Sequence, residues 1–228
     1  MILAAGRGER MRPLSDRIPK PLLPVAGKPL IIRLVKRLAR CGIADIVVNV
    51  SHLGELIEEA LGNGTAFGVR IAYSREREAL GTAGGMAAAL PLLGAVPFMA
   101  VNSDVYSDFD FKRLEPVADK LSRTGELAHL VLVDNPPHHA GGDFFLDEDM
   151  VAAHGGVRFT FSGIGVYQPA LFSSVARGAK FQLAALLREP IAQCRVRGEH
   201  HGGLWVDVGT PARLAQLERL LARRDADL

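Results

Sequence analysis

A layered α/β fold is what the sequence predicts, and three observations carry the prediction. Short apolar runs alternate with segments of helical periodicity along all 228 residues. Several of those runs deliver glycine, asparagine or aspartate at their carboxyl ends, where open α/β sheets gather their ligands. No repeat, linker or low-complexity block interrupts the alternation, so one domain over residues 1–228 is expected.

Residues 1–4 make the first buried strand. Residues 29–40 carry Leu30, Leu34, Val35 and Leu38 at helical spacing, and Gly42 supplies the stop. A strand over 45–50 and a helix over 53–61, ended by Gly62, come next, followed by a short strand over 70–74. The helix over 82–93 holds Gly84, Gly85 and several alanines, small residues that permit close packing. Residues 97–101 form a buried strand that presents Asn102, Ser103 and Asp104 at its end. A helix over 111–121 and a strand over 128–133 follow. Beyond Asn135-Pro136-Pro137 the pattern loosens. There, 143–146 and 158–167 read as sheet with a polar turn between them, 169–174 and 183–188 as short helices, and 193–199 and 204–208 as strands. Thr210 caps the last helix, Pro211 fits its first turn, and Leu214, Leu217 and Leu221 line its buried face.

Composition narrows the function. A hydrophobic fraction of 48% suits a well-buried core. A formal charge of +2 gives no electrostatic support for broad nucleic-acid or anionic-membrane binding. Only Cys41 and Cys194 occur, far apart and in no metal spacing, which suits a reducing compartment. No basic leader or long apolar stretch precedes the first strand, so neither a signal peptide nor a membrane span is expected, and a cytoplasmic location follows.

The chemistry concentrates at the N-terminus. The strand runs into Ala5-Gly6-Arg7-Gly8-Glu9-Arg10-Met11-Arg12, and Lys20 stands between Pro19 and Pro21. Glycines lacking a Cβ let the backbone turn and approach a ligand, while successive N–H groups make a concave anion receptor. Arg7, Arg10, Arg12 and Lys20 add positive charge, so the segment reads as a triphosphate cradle. A P-loop would need Gly-Lys-Ser/Thr, which is absent. A dinucleotide fingerprint would need a third glycine where Met11 stands, and an acidic residue ending the second strand, which instead reads Ile46-Val-Val-Asn-Val-Ser51. An NAD-dependent oxidoreductase is therefore disfavoured.

The run Leu3-Ala-Ala-Gly-Arg-Gly-Glu-Arg-Met-Arg-Pro-Leu14 with Pro19-Lys-Pro-Leu22 resembles the signature of the sugar-1-phosphate nucleotidyltransferases. The resemblance continues through Leu80-Gly-Thr-Ala-Gly-Gly85, Val101-Asn-Ser-Asp104, Thr160-Phe-Ser-Gly-Ile-Gly165 and Trp205-Val-Asp-Val-Gly-Thr210. It implies a three-layer Rossmann-like, mostly parallel sheet of the nucleotidyltransferase type, here without the C-terminal β-helix domain of many relatives. It implies Mg²⁺ as cofactor, with a nucleoside triphosphate and a sugar 1-phosphate as substrates.

By that resemblance Arg10 and Lys20 are the phosphate-binding pair, and Asp104 and Asp207 the metal carboxylates, Asp104 counting among the catalytic residues. Mg²⁺ takes oxygen ligands and is commonly held by one or two carboxylates plus substrate phosphates, so two aspartates at strand ends suit it. Ala5, Gly6, Gly8, Gly81, Thr82 and Gly84 match nucleotide-binding positions, and Gly142 and Gly163 positions in the sugar pocket. The plainer alternatives are a turn aspartate for Asp104, a helix cap for Asp207 and a tight pre-helical turn for Thr82. His138-His139 and His200-His201 lie on predicted loops without cysteine or ordered spacing, so substrate or water contacts are expected rather than zinc. Trp205 reads as a packing residue.

Within the family, His129-Leu-Val-Leu-Val-Asp-Asn135, Gly142-Asp-Phe144, Phe161-Ser-Gly-Ile164, the run from Phe181 to Arg188 and Gly198-Glu-His200 resemble the uridylyltransferases acting on N-acetylmuramate 1-phosphate. UTP and that sugar are the favoured pair, giving a UDP-sugar for peptidoglycan recycling. Gly81-Thr-Ala-Gly84 also resembles mannose-1-phosphate guanylyltransferases, so GDP-mannose formation from GTP is the alternative. The lysine that meets the sugar phosphate in many relatives is missing, leaving Lys180 or Arg195 to supply its charge. A non-catalytic sugar-nucleotide sensor would need no metal carboxylates. A monomer or small homo-oligomer is expected, with no nucleic-acid or membrane partner.

Overall fold

The computed structural model describes residues 1–226, with side chains through residue 222. In chain order the first elements are β1 (Ile2–Leu3), β2 (Pro24–Val25), β3 (Lys28–Pro29), α1 (Leu30–Arg40), β4 (Asp45–Val50), α2 (Gly54–Leu61) and β5 (Arg70–Arg75). Next come α3 (Gly81–Leu93), β6 (Phe98–Asn102), β7 (Val105–Ser107), α4 (Glu115–Arg123) and β8 (Ala128–Val133). The chain ends with β9 (Phe144–Asp147), β10 (Met150–Ala152), β11 (Val157–Tyr167), α5 (Leu183–Ala192), β12 (Val196–His200), β13 (Trp205–Asp207) and α6 (Pro211–Ala226). These elements group into two compact units, and the chain passes between them several times.

One unit holds Ile2–Ala79, Asn102–Asp108 and the chain from Leu204 onward. Its strands β5-β4-β1 are parallel, with Ile2 opposite Val48 and Asp45 opposite Arg70. Ile46, Val47, Val48 and Val50 of β4 are all buried, the near-continuous apolar run of a covered parallel strand. Helix α1 buries Leu30, Ile31, Leu34, Val35 and Leu38 and stops at Cys41-Gly42, the glycine adopting φ +85°. Strands β2 and β3 form a hairpin whose two turn residues, Ala26 and Gly27, both have positive φ, the geometry that matches the twist of the flanking strands. Strands β7 and β13 pair antiparallel. A single apolar cluster joins Met11, Leu23, Val25, Leu30, Val206, Val208, Leu217 and Leu221. It ties the N-terminal loop, the hairpin, β13 and α6 together.

The other unit comprises Met1, Leu80–Val101 and Phe109–Gly203. Its sheet order is β6-β11-β8-β12-β10-β9. Strand β12 is parallel to β8, whereas β11 runs antiparallel to β6, β8 and β9, making this sheet mixed. Helix α3 packs on α5, α5 on β10 and β12, and α4 on β11. Phe98, Tyr167 and Phe172 form an aromatic cluster with ring centroids 5.9–6.2 Å apart.

The predicted and observed elements differ in several places, the β2–β3 hairpin being one that the sequence reading leaves unassigned. Strand β7 lies in what reads as a post-strand loop, and β10 in what reads as a polar turn. Helix α5 runs past residue 188 to Ala192, carrying Pro190 inside it because Pro190 and Ile191 are buried.

Candidate active site

Strand β1 is too short to hold its own exit, and side chains from its neighbours do so. The Ala4 N–H donates to Asn49 Oδ1 at 2.7 Å, and Asn49 Nδ2 donates to Glu76 Oε1 at 2.7 Å. Asn49 and Glu76 are both buried, so the chain enters the loop from a fixed point. Ala5 is buried, and a Cβ on Gly6 would meet nothing within 4 Å. Packing therefore does not require glycine at position 6, which leaves an exposed backbone face open to a ligand.

Gly8 has a conformational reason to be glycine. Its φ is +68°, and a Cβ there would lie 3.1 Å from Lys20 Cβ. The Gly8 carbonyl accepts from Met11 N and from Ser15 Oγ, both at 2.8 Å. Met11, standing where a dinucleotide loop would have glycine, is wholly buried in the apolar cluster and anchors the loop. Arg12 pairs with Asp16 at 2.9 Å on the exposed side. Arg7 is exposed.

Lys20 sits on a one-turn 3-10 helix, Lys20–Leu22, and is 9% exposed. Its ammonium pairs with Asp104 Oδ2. Asp104 precedes β7, and its carbonyl accepts from Val208 N at 2.8 Å. In the β7–β13 ribbon Asp207 lies opposite Val105. Residues about a hundred positions apart in sequence are thus neighbours at one end of the ribbon, as strand-end placement predicts. Asp207 Oδ2 lies 3.1 Å from Arg213 Nη1. Thr210 Oγ1 accepts from Arg213 N at 3.4 Å, so the capping role belongs to Thr210.

Arg213 is the residue that the sequence motifs do not mark. It occupies the third position of α6, and its side chain is 12% exposed. Its Nε and Nη2 are buried without a hydrogen-bond partner among the described residues. A Cβ on Gly209 would collide with Arg213 Nη2 and come within 3.2 Å of Arg10 Nη2. Both guanidiniums therefore converge on the bare face of Gly209. One signal was legible: a cation in the first turn of a helix opposes the macrodipole and needs a reason.

In the other unit, Gly81 has φ +73°, and a Cβ there would lie 2.7 Å from Phe181 O; one on Gly84 would collide with Ala179 O. The Ala83 and Gly84 N–H groups both donate to Phe181 O at 3.1 Å. Close packing of residues 179–181 on the start of α3 thus explains both glycines, while Thr82 is half-buried beside them. Lys180 is exposed on that packed segment, whereas Arg195 donates to Gly125 O at 2.6 Å.

Gly142 has φ +60°, and a Cβ there would lie 2.6 Å from Asn135 Oδ1. Asn135 accepts from Thr160 Oγ1 at 2.9 Å and donates to Arg158 O at 3.0 Å. Gly163, at φ +79°, sits where the β8–β11 register shifts between Phe161 and Ile164. The histidines of the two pairs diverge. His139 meets Asp143 at 2.9 Å, His200 meets Asp134 at 2.9 Å, and His201 packs edge-on against Phe109 at 5.3 Å. No group of three or more His, Cys, Asp or Glu that could hold a metal occurs among the described residues.

Residues 1–152 match the nucleotidyl transferase family, and the chain belongs to it. The chain is 52% identical over 224 residues to the N-acetylmuramate alpha-1-phosphate uridylyltransferase of Neisseria meningitidis serogroup B, covering 96% of each chain. Against the mannose-1-phosphate guanyltransferase of Aspergillus fumigatus it is 30% identical over 227 residues, 92% of this chain and 60% of that protein. Among solved structures, a Bacillus anthracis protein crystallised with sucrose and assigned as a glucose-1-phosphate thymidylyltransferase superposes with a TM-score of 0.81. At 23% identity, over 96% of this chain and 93% of that one, the likeness describes the fold.

Proposed function

We propose that this chain transfers a uridylyl group from UTP to N-acetylmuramate 1-phosphate with Mg²⁺ as cofactor, releasing pyrophosphate. The observation that carries the reaction class to these residues is the cluster at the end of the β7–β13 ribbon. There Lys20 pairs with Asp104, Asp207 lies alongside, and Arg10 reaches Gly209. The full-length likeness to the Neisseria protein supports the choice of base and sugar.

The sugar phosphate oxygen attacks the α-phosphorus of UTP, one P–O bond forms, and the bond to the bridging oxygen of pyrophosphate breaks. The attacking oxygen is already anionic, so no protein base is needed. Arg10 would grip terminal phosphate oxygens in its planar fork, and Lys20 would place a compact charge at the transferring group. Stabilising charge that develops on the leaving group is where these cations act.

Asp104 and Asp207 would hold the Mg²⁺. Two carboxylates on hydrogen-bonded neighbouring backbones make a donor set that suits an ion completed by water and phosphates, so no third protein ligand is required. The bound ion supplies charge neutralisation at the phosphates.

We place the activity in the cytoplasm, salvaging an amino sugar for peptidoglycan synthesis. No described helix is long and apolar enough to cross a membrane. The deciding experiment follows pyrophosphate release over a panel of triphosphate and sugar-phosphate pairs. UTP with N-acetylmuramate 1-phosphate should have the highest kcat/KM. A clear preference for GTP with mannose 1-phosphate would replace this reading with the guanylyltransferase one. Tight binding without release would make the chain a sensor.

A further inference from the structure

We propose that Arg213 is a positioning residue that holds the Asp207 carboxylate oriented and offsets its charge until the divalent ion arrives with the triphosphate, so that the free ion binds poorly. The inference rests on the metal role given above to Asp104 and Asp207. Its own observations are geometric. Each carboxylate is already matched by a cation, Lys20 for Asp104 and Arg213 for Asp207. Arg10 reaches the same strand exit, so three cations face two carboxylates and the cluster carries net positive charge.

A bare dication approaching such a cluster meets repulsion. A metal–triphosphate complex, with net negative charge, meets attraction. Arg213 is suited to this task because it is fixed. Its guanidinium is buried and lies against Gly209, where any side chain would displace it. A cation spent against the helix dipole is accounted for by Asp207, which offsets it.

The test is a Mn²⁺ titration of the nucleotide-free protein, read by the loss of the free-ion electron paramagnetic resonance signal. Wild type should bind Mn²⁺ weakly. R213M, similar in length and uncharged, should bind it at least about tenfold more tightly, with R213Q as the alternative if R213M is insoluble. R213K should return to the wild-type affinity, and D207N/R213M should lose the gain. In turnover, R213M should lower kcat more than it changes the KM for UTP.

Free-ion affinity in R213M and R213Q no tighter than wild type, or a gain that survives D207N, would overturn the proposal. The two readings fail separately. Absence of pyrophosphate release by wild type with every UTP pair would defeat the proposed function, while the Mn²⁺ shift would still report on Arg213.

Discussion

The backbone N–H of Val208 donates to the carbonyl of Asp104 at 2.8 Å, and through that bond the backbones that carry Asp104 and Asp207, distant in sequence, become neighbours. Main-chain pairing between β7 and β13 fixes the backbone positions of the two residues. The substitutions below separate charge from scaffold.

Asp104→Asn should cost both turnover and stability. It leaves the Lys20 ammonium, 11% exposed at its side chain, without its carboxylate. The stability loss should be about 1–3 kcal/mol, seen in denaturant unfolding, and turnover should fall by about two orders of magnitude or more. K20M/D104N should recover most of the stability and none of the activity. Recovery of activity would remove both residues from the chemistry.

Gly8→Ala should act through Lys20. The new side chain would have to adopt φ +68°, at about 1–2 kcal/mol, and its Cβ would press on Lys20 Cβ at 3.1 Å. Turnover should fall with the displaced ammonium. A G8A protein with wild-type kcat would show that the loop tolerates the shift.

Gly209→Ala should leave the fold intact and damage the site. Position 209 has an ordinary backbone conformation, so the alanine costs little there, but its methyl group collides with the Arg213 guanidinium and crowds Arg10. Unfolding curves should stay within about 1 kcal/mol of wild type, while pyrophosphate release drops. An unchanged rate would mean that neither arginine needs its present place.

Glu199→Gln should flatten the acid limb of the stability curve. Burial raises the carboxyl pKa of Glu199, but the hydrogen bond from His129 and the charges of Arg113, His129 and His201 outweigh it, and the net shift is downward. Its stabilisation is therefore fully present above the ordinary carboxylate pKa and is lost as pH falls through the depressed value. Melting temperatures measured from neutral pH into the acid range should fall less steeply in E199Q than in wild type. Parallel profiles would show that Glu199 carries no such linkage.

Much of this was readable from patterns. The strands at 45–50 and 128–133 fall where their continuous apolar runs place them, because a covered strand must be apolar on both faces. Asp104 and Asp207 were legible as strand-end carboxylates brought together by the fold. Strand β7 was not, because Val105-Tyr106-Ser107 is too short for alternation to emerge and depends on β13 for its pairing. Strand β10 was hidden by acidic neighbours at Asp147-Glu148-Asp149. Helix α5 continues past residue 188 although Pro190 lacks an N–H for the ladder, with Pro190 and Ile191 buried. Arg213 escaped notice because its partner is fixed by tertiary contact and its face of α6 cannot be told from a solvated one by periodicity.

Helix α6 plugs the apolar cluster with Leu217 and Leu221 and sets Arg213 against Asp207 from its first turn. Met11 finds its socket in the same cluster. One helix thus serves both the packing that seats the N-terminal loop and the charge that faces Asp207, so a substitution on its apolar face, at Leu217 or Leu221, should reach the site through Arg213 and Met11 without touching either.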